Sequence, residues 1–197
     1  MKKLLLSACL LGCLASARAD VYEYTTSLLG TSEVPANGSP GTGIADVTFD
    51  SSANTLLVNF SFSGLLGSTT AAHIHAPTTV AGTGNAGVAT TTPYFPGFPV
   101  GVTSGNYSHL MDLTLASSYN ASFIIANGGT TTGAEAALFA DLNDGKAYLN
   151  IHTTLFPGGE IRGNLSPVPE PTSLAMIGVG AIGLAAFRRH QKRNAQA

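Results

Sequence analysis

Apolar and polar residues alternate along several short stretches of the chain, as they do in a β-strand with one buried face. The pattern is clearest in residues 54–64, where Leu56, Val58, Phe60 and Phe62 occupy alternate positions with mostly polar residues between them. Clusters of glycine, proline and asparagine separate the stretches, and such clusters are typical of turns. Strands are therefore predicted over residues 21–30, 43–50, 54–64 and 70–77.

The second half of the chain mixes strand and helix patterns. Residues 109–129 begin as a strand and are predicted to become helical near Ser117, and residues 132–145 predict a helix with one apolar face. Residues 146–165 predict a hairpin that turns at a Pro-Gly-Gly sequence. Together these elements predict an all-β fold, a two-sheet Greek-key sandwich with one or two short helices.

Residues 78–105 lack any regular spacing of apolar positions and are rich in glycine, threonine and proline. We expect this segment to be a long excursion on the surface, with Tyr94, Phe95 and Phe98 placed among its prolines. Loops of this length in compact domains are often functional or disordered.

The first 19 residues have the three parts of a secretory signal peptide. Lys2 and Lys3 precede an apolar run over residues 4–14, and Ala17-Arg18-Ala19 forms a cleavage site. Signal peptidase is therefore an expected processing enzyme, and the mature chain would begin at Asp20. An alternative interpretation is a lipoprotein signal, since the residues that end at Cys13 resemble a bacterial lipidation box.

The last 31 residues, 167–197, combine a proline-rich start, a short apolar run and a basic end. A plain C-terminal membrane anchor is one interpretation, with the basic end held in the cytoplasm. The order of the parts also resembles the PEP-CTERM sorting signal of Gram-negative bacteria. That resemblance implies transient anchoring in the inner membrane, cleavage by an exosortase and release to the cell surface or extracellular matrix. The residues that carry it are Pro169, Glu170, Pro171, Arg188 and Arg189.

The part of the chain between the two signals, residues 20–166, is long enough for one domain with its own core. Both cysteines, Cys9 and Cys13, lie in the signal peptide, so the mature domain is expected to have no disulfide and no thiol nucleophile. The domain holds two basic residues, Lys146 and Arg162, and ten acidic residues, a net charge of −8. A nucleic-acid partner is not expected, because almost nothing is present to neutralise phosphates.

Histidines provide the candidate chemistry of the domain. His73 and His75 are two residues apart on a predicted strand, so they point to the same side, roughly 6.5–7 Å apart along the backbone. His152 lies in the predicted hairpin, and His109 is a possible fourth member. Three imidazoles suit zinc or copper if the two segments are neighbours. The alternative is a structural cluster in which the imidazoles bond to threonines and carbonyls.

Two longer motifs, "AAHIHAP" and "GKAYLNIHTTLFPGGEIRGNL", resemble the signature of the CHRD domain, the module named after chordin. The resemblance implies an immunoglobulin-like or superoxide-dismutase-like β-sandwich over roughly residues 21–165, with no assigned reaction. Ala76 stands where a glycine is usual after the histidine pair. Glu160 and Arg162 share a face and are expected to pair with each other or to brace a turn. The matching positions are His73, His75, Asn150, His152, Thr153, Pro157, Gly158, Gly159, Glu160, Arg162 and Gly163.

The sequence contains no G-x-S-x-G or H-E-x-x-H motif, and the domain has fewer histidines than a binuclear copper/zinc superoxide dismutase needs. We therefore expect a non-enzymatic binding or matrix module at the cell surface, with exopolysaccharide or surface proteins as candidate partners. The first alternative is a periplasmic or surface metal-binding protein that uses the histidine cluster. A superoxide-dismutase-like redox enzyme is a second and less favoured alternative.

Overall fold

The computed structural model describes residues 21–169. The predicted signal peptide lies outside them, and so do Glu170, Pro171, Arg188, Arg189 and the apolar run of the sorting tail. Among residues 21–169, no helix is both long and apolar enough to cross a membrane.

Eight strands and two helices make up the described part of the chain. The longer helix, Thr131–Asn143, begins after Thr130, whose hydroxyl accepts a hydrogen bond from the Gly133 amide, as expected of a capping threonine. One turn of 3-10 helix follows the first strand, and another precedes the shorter helix. The elements are β1 (Val21–Leu29), β2 (Thr42–Asp50), β3 (Thr55–Ser63), β4 (Thr69–His75), β5 (Gly105–Asp112), α1 (Ala121–Ala126), α2 (Thr131–Asn143), β6 (Tyr148–Thr153), β7 (Ile161–Asn164) and β8 (Ser166–Pro167).

The strands form one hydrogen-bonded antiparallel path in the order β4-β6-β7-β1-β2-β3-β5, and β8 pairs with β1. Its two halves are joined through a single registered pair, Leu29 with Arg162. Ile74 of β4 and Met111 of β5 come from opposite ends of this path, yet they belong to one core cluster, so the sheet curls over that core. The prediction of a β fold with one or two short helices is confirmed, since the described residues are mostly β and contain two helices. The hydrogen bonds do not divide the strands into the two separate sheets of the predicted Greek-key sandwich.

The alternating positions of β3 form the centre of the core, as the sequence pattern predicts. Leu56, Val58, Phe60 and Phe62 are all buried, and Phe60 has its ring centroid 5.0 Å from that of Tyr107 on the neighbouring strand β5. Burial of each large apolar side chain contributes about 1.5–3 kcal/mol to folding.

The long segment 78–105, predicted as a surface excursion, contributes part of the core. Phe95 is 0% exposed and Phe98 is 4% exposed, whereas Tyr94 keeps 37% of its surface. The backbone also bonds to the edge strand, because the Phe95 amide donates to the Ala72 carbonyl at 3.3 Å. The surface prediction is therefore wrong for these two phenylalanines, since the loop covers the otherwise unpaired edge of β4 and fills the core beside it.

Candidate metal centre

Neighbouring strands β4 and β6 bring three of the predicted site histidines together. His73 pairs with Asn150 and His75 pairs with Tyr148 in the antiparallel register, while His152 lies opposite Ala71. One ring nitrogen of each of the three histidines lies within 4.8 Å of the others. His73 and His75 are 6% and 7% exposed, and His152 is partly exposed. The spacing in the sequence and the strand pairing together create the cluster.

Each imidazole of the cluster has one ring nitrogen bonded to a backbone carbonyl. A carbonyl oxygen can only accept, so the bonded nitrogen of each neutral ring carries the hydrogen. The nitrogens that keep a lone pair are then His73 Nδ1, His75 Nε2 and His152 Nε2. The three bonds are His73 Nε2 to Pro93 O at 2.6 Å, His75 Nδ1 to Ala86 O at 3.0 Å and His152 Nδ1 to Pro157 O at 2.9 Å.

The free nitrogens are arranged as ligands of one ion would be. His75 Nε2 and His152 Nε2 are 3.4 Å apart. Two nitrogens held 2.0–2.1 Å from a tetrahedral zinc ion lie roughly 3.3–3.4 Å from each other. His73 Nδ1 is buried and has no hydrogen-bond partner, a costly state for a polar atom. An ion shared by the three lone pairs would satisfy all of these atoms.

Burial keeps the three imidazoles neutral. It lowers the pKa of His73 and of His75 from 6.5 to about 4, although the carbonyl bonds oppose the shift, and the other imidazoles lower both pKa values further. Burial lowers the pKa of His152 as well. A metal ligand must be deprotonated, so protons would compete little for these nitrogens near neutral pH.

The ring of His75 stacks on Tyr148, which in turn contacts Arg162. Tyr148 lies parallel to it, with 4.9 Å between centroids and 6° between planes. The Arg162 guanidinium carbon lies 4.6 Å from the centroid of the Tyr148 ring, a cation–π contact. The Tyr148 hydroxyl accepts from the Ala86 amide at 3.2 Å, beside the carbonyl that holds His75. Arg162 therefore acts on the cluster through Tyr148.

Arg162 is almost fully buried and does not pair with Glu160, so that part of the sequence prediction is wrong. Its Nε donates to the Ser32 carbonyl at 2.7 Å, and one terminal nitrogen donates to Asn85 Oδ1 at 2.8 Å. Its Nε also lies 3.6 Å from Glu33 Oε2. Burial raises the pKa of Glu33 from 4.5 to about 7, and the nearby Arg162 only partly offsets that shift. Glu33 is thus poised to titrate near neutral pH.

Replacing Glu33 with glutamine is expected to make the free energy of unfolding less dependent on pH. The folded state holds the Glu33 proton more tightly than the unfolded state, so this contribution is present below about pH 4.5 and lost as the pH rises through about 7. Wild-type protein should lose roughly 1–3 kcal/mol of unfolding free energy relative to Glu33→Gln between about pH 5 and pH 8. Urea denaturation across this range measures the difference, with exposed Glu23→Gln as the control. Parallel profiles for wild type and Glu33→Gln would contradict it.

Glu160 instead is a fully buried carboxylate that accepts four hydrogen bonds. The donors are the hydroxyls of Ser39 and Thr153, at 2.6 and 2.7 Å, and the amides of Leu66 and Gly67, at 2.6 and 3.1 Å. These donors come from the loop before β2, the loop before β4 and the end of β6. Glu160 therefore braces the turns on both sides of the histidine strands.

The Pro-Gly-Gly turn before β7 contributes to the centre through its backbone. Pro157 provides the carbonyl for His152, and Gly158 accepts from the Asn150 side-chain amide at 3.4 Å. Gly159 has a φ of +132°, and a Cβ there would collide with Asn150 and Glu33. A Cβ on Gly163 would collide with the Ser27 carbonyl of β1. These motif residues serve the geometry around the histidines.

His109 is not brought to the cluster. It lies on β5, at the other end of the strand path, where it is half-buried and its ring centroid is 6.2 Å from that of Tyr107. The three partner carbonyls of Ala86, Pro93 and Pro157 were missed, because a backbone carbonyl has no signature in the sequence. Glu33 was missed because its raised pKa arises from burial that only the folded chain shows.

A family model described as the CHRD domain matches residues 24–165. The chain belongs to the CHRD family. A PEP-CTERM protein-sorting motif matches residues 167–189, directly after the CHRD domain. Both resemblances predicted from the sequence are confirmed. No curated protein and no solved structure matches this CHRD chain at a significant level. The sorting motif indicates export and membrane-associated sorting by an exosortase-type system, followed by placement at the surface or outside the cell.

Proposed function

We propose that this CHRD protein is a non-enzymatic module of the cell surface or extracellular matrix that binds zinc or copper through His73, His75 and His152. The observation that carries the proposal is the orientation of the three imidazoles. Each has its hydrogen-bearing nitrogen tied to a backbone carbonyl, so its lone pair is left free beside the other two. Such outer bonds fix the tautomer and orientation of metal-binding histidines.

The donor set favours zinc or copper over calcium or magnesium. All three donors are neutral nitrogens, and no cysteine, aspartate or glutamate of residues 21–169 joins them. Imidazole suits zinc and copper, whereas calcium and magnesium prefer oxygen ligands. Export to an oxidising compartment is compatible with either metal, because the centre contains no thiol.

The structural alternative, a cluster held only by hydrogen bonds, explains the same contacts less well. The carbonyl bonds use the one hydrogen of each neutral ring. His75 Nε2 and His152 Nε2 then face each other at 3.4 Å without a hydrogen between them, and His73 Nδ1 has no partner. A cation resolves these features together, which is why we favour metal binding. No feature of the described residues favours turnover over binding.

Metal content provides the first test of this proposal. Protein purified without a histidine tag, dialysed against zinc and then against metal-free buffer, is expected to retain about one zinc per chain. Elemental analysis gives the ratio, and a rise in melting temperature with added zinc gives an independent readout. Copper is tested in the same way. Absence of stoichiometric metal and of any thermal shift with both ions would reject the proposal.

Removal of the sorting tail tests the location. Deletion of residues 169–197 is expected to leave the protein periplasmic or freely secreted, since the matched motif is then broken. Fractionation with surface labelling of the full-length and shortened proteins measures the change. An unchanged surface location of the shortened protein would contradict exosortase-type sorting while leaving metal binding intact.

A further inference from the structure

The histidine cluster supplies three donors, whereas zinc in proteins is usually four-coordinate. The neighbouring polar side chains are already occupied. The Tyr148 hydroxyl bonds to Ala86, and the Asn150 amide bonds to Gly158. Within the described chain, no further histidine, cysteine or acidic residue lies close enough to join the three. The fourth position of a bound ion therefore falls to a ligand from outside these side chains.

The exposure of the three histidines shows where such a ligand would enter. His73 and His75 are more than 90% buried, on the strand edge covered by the long loop. His152 is partly exposed, next to the turn that contains Pro157. Since His152 is the most exposed of the three histidines, a ligand from solution would approach the cluster from its side.

The charges around the histidine cluster favour an anionic ligand. Each imidazole donates one ring hydrogen to a backbone carbonyl and would bind the ion through a neutral nitrogen, so both charges of a divalent ion stay uncompensated. Arg162 adds a positive charge behind Tyr148. Glu33 lies against Arg162, and no acidic group of residues 21–169 belongs to the histidine cluster. An anionic donor is therefore favoured over a neutral one, because a bound metal is often the largest local charge in its site.

The charge of the whole domain limits the size of that anion. The domain carries ten acidic and two basic residues, a net charge of −8. A long polyanion would meet this repulsion over much of its length, whereas a small, singly charged anion meets it once. We infer that the metal centre binds a small, singly charged anion from solution as its fourth ligand. This inference rests on the proposed metal binding.

Cobalt(II) in place of zinc allows the inference to be tested, since its visible absorption reports the coordination shell. The full mature protein is loaded with cobalt and titrated with acetate, with azide as a second small anion. We expect a saturable spectral change with one anion per cobalt, and competition between acetate and azide. The variant His109→Ala serves as the matched control and should behave as wild type, because that histidine lies outside the cluster.

The outcomes separate the inference from the proposed function. A spectrum that both acetate and azide leave unchanged while cobalt stays bound would overturn the inference and leave metal binding standing. Failure of the protein to take up cobalt, zinc or copper would overturn both. Polyglucuronate is added at the same carboxylate concentration and low ionic strength, and it should bind at least about ten-fold more weakly than acetate. Equal or tighter binding of the polymer would overturn the restriction to small anions.

Discussion

Replacing Glu160 with alanine is expected to lower the free energy of unfolding by about 3–5 kcal/mol. The wild-type carboxylate is 0% exposed and accepts from two hydroxyls and two backbone amides. Alanine would leave all four donors without this acceptor, and the bonds from Gly67 and Thr153 are buried. The two amides, of Leu66 and Gly67, have no freedom to turn away. Urea denaturation at neutral pH measures the loss, and the exposed Glu23→Ala should change stability by less than about 0.5 kcal/mol.

The same carboxylate should make the protein sensitive to acid. Burial alone would raise the pKa of Glu160, but the hydrogen bonds from Ser39, Thr153, Leu66 and Gly67 together lower it. Its contribution is therefore fully present above the ordinary pKa near 4.5 and is lost as the pH falls through the lower folded value. Glu160→Gln removes this titration while keeping the shape. A Glu160→Ala protein as stable as wild type would show that the four bonds do not brace the turns.

Replacing His152 with alanine is expected to weaken zinc binding by more than about 100-fold, since even the loss of a group that only orients a ligand costs 10–100-fold. The imidazole supplies the nitrogen that lies 3.4 Å from His75 Nε2. Competition with a chelator of known affinity measures the change. His109→Ala is the matched control and should leave affinity unchanged, because His109 lies on β5 outside the cluster.

The pH dependence of zinc binding provides a second readout of the same centre. An exposed histidine would lose its metal as the pH falls through about 6.5. The pKa values of His73 and His75 are about 4, because burial disfavours their charged forms. Zinc affinity should therefore persist below pH 6.5 and decline as the pH approaches 4. A fall in affinity centred near pH 6.5, or an equal loss of affinity in His152→Ala and His109→Ala, would contradict this assignment.

The regular elements could be predicted because their signals are local. The period-two pattern of β3 reports one buried face, and that face is indeed the centre of the core. The helix predicted over residues 132–145 corresponds to α2, with its end at Asn143. The connection between β1 and β7 could not be predicted, since it depends on a single long-range pair, Leu29 with Arg162. That pair joins into one curled sheet the strands that were predicted to form two sheets.

The candidate site was predictable only in part, and for a physical reason. Positions i and i+2 on a strand fix His73 and His75 on one side, and the family motif associates them with His152. The sequence does not show which ring nitrogen is free, because this depends on carbonyls contributed by Ala86 and Pro93 of the long loop. The sequence predicts that loop on the surface because it is rich in glycine and proline, although two of its phenylalanines belong to the core. The orientation of the histidine rings therefore depends on the folded position of this loop, which the sequence does not predict.

Anomalous diffraction from crystals of the zinc-loaded protein would locate the metal directly. We expect one zinc ion between β4 and β6, within about 2.0–2.1 Å of one nitrogen from each of three histidines. Those nitrogens should be His73 Nδ1, His75 Nε2 and His152 Nε2, with the opposite nitrogens still bonded to backbone carbonyls. A zinc ion bound elsewhere, with the three histidines free of metal, would contradict metal binding by His73, His75 and His152.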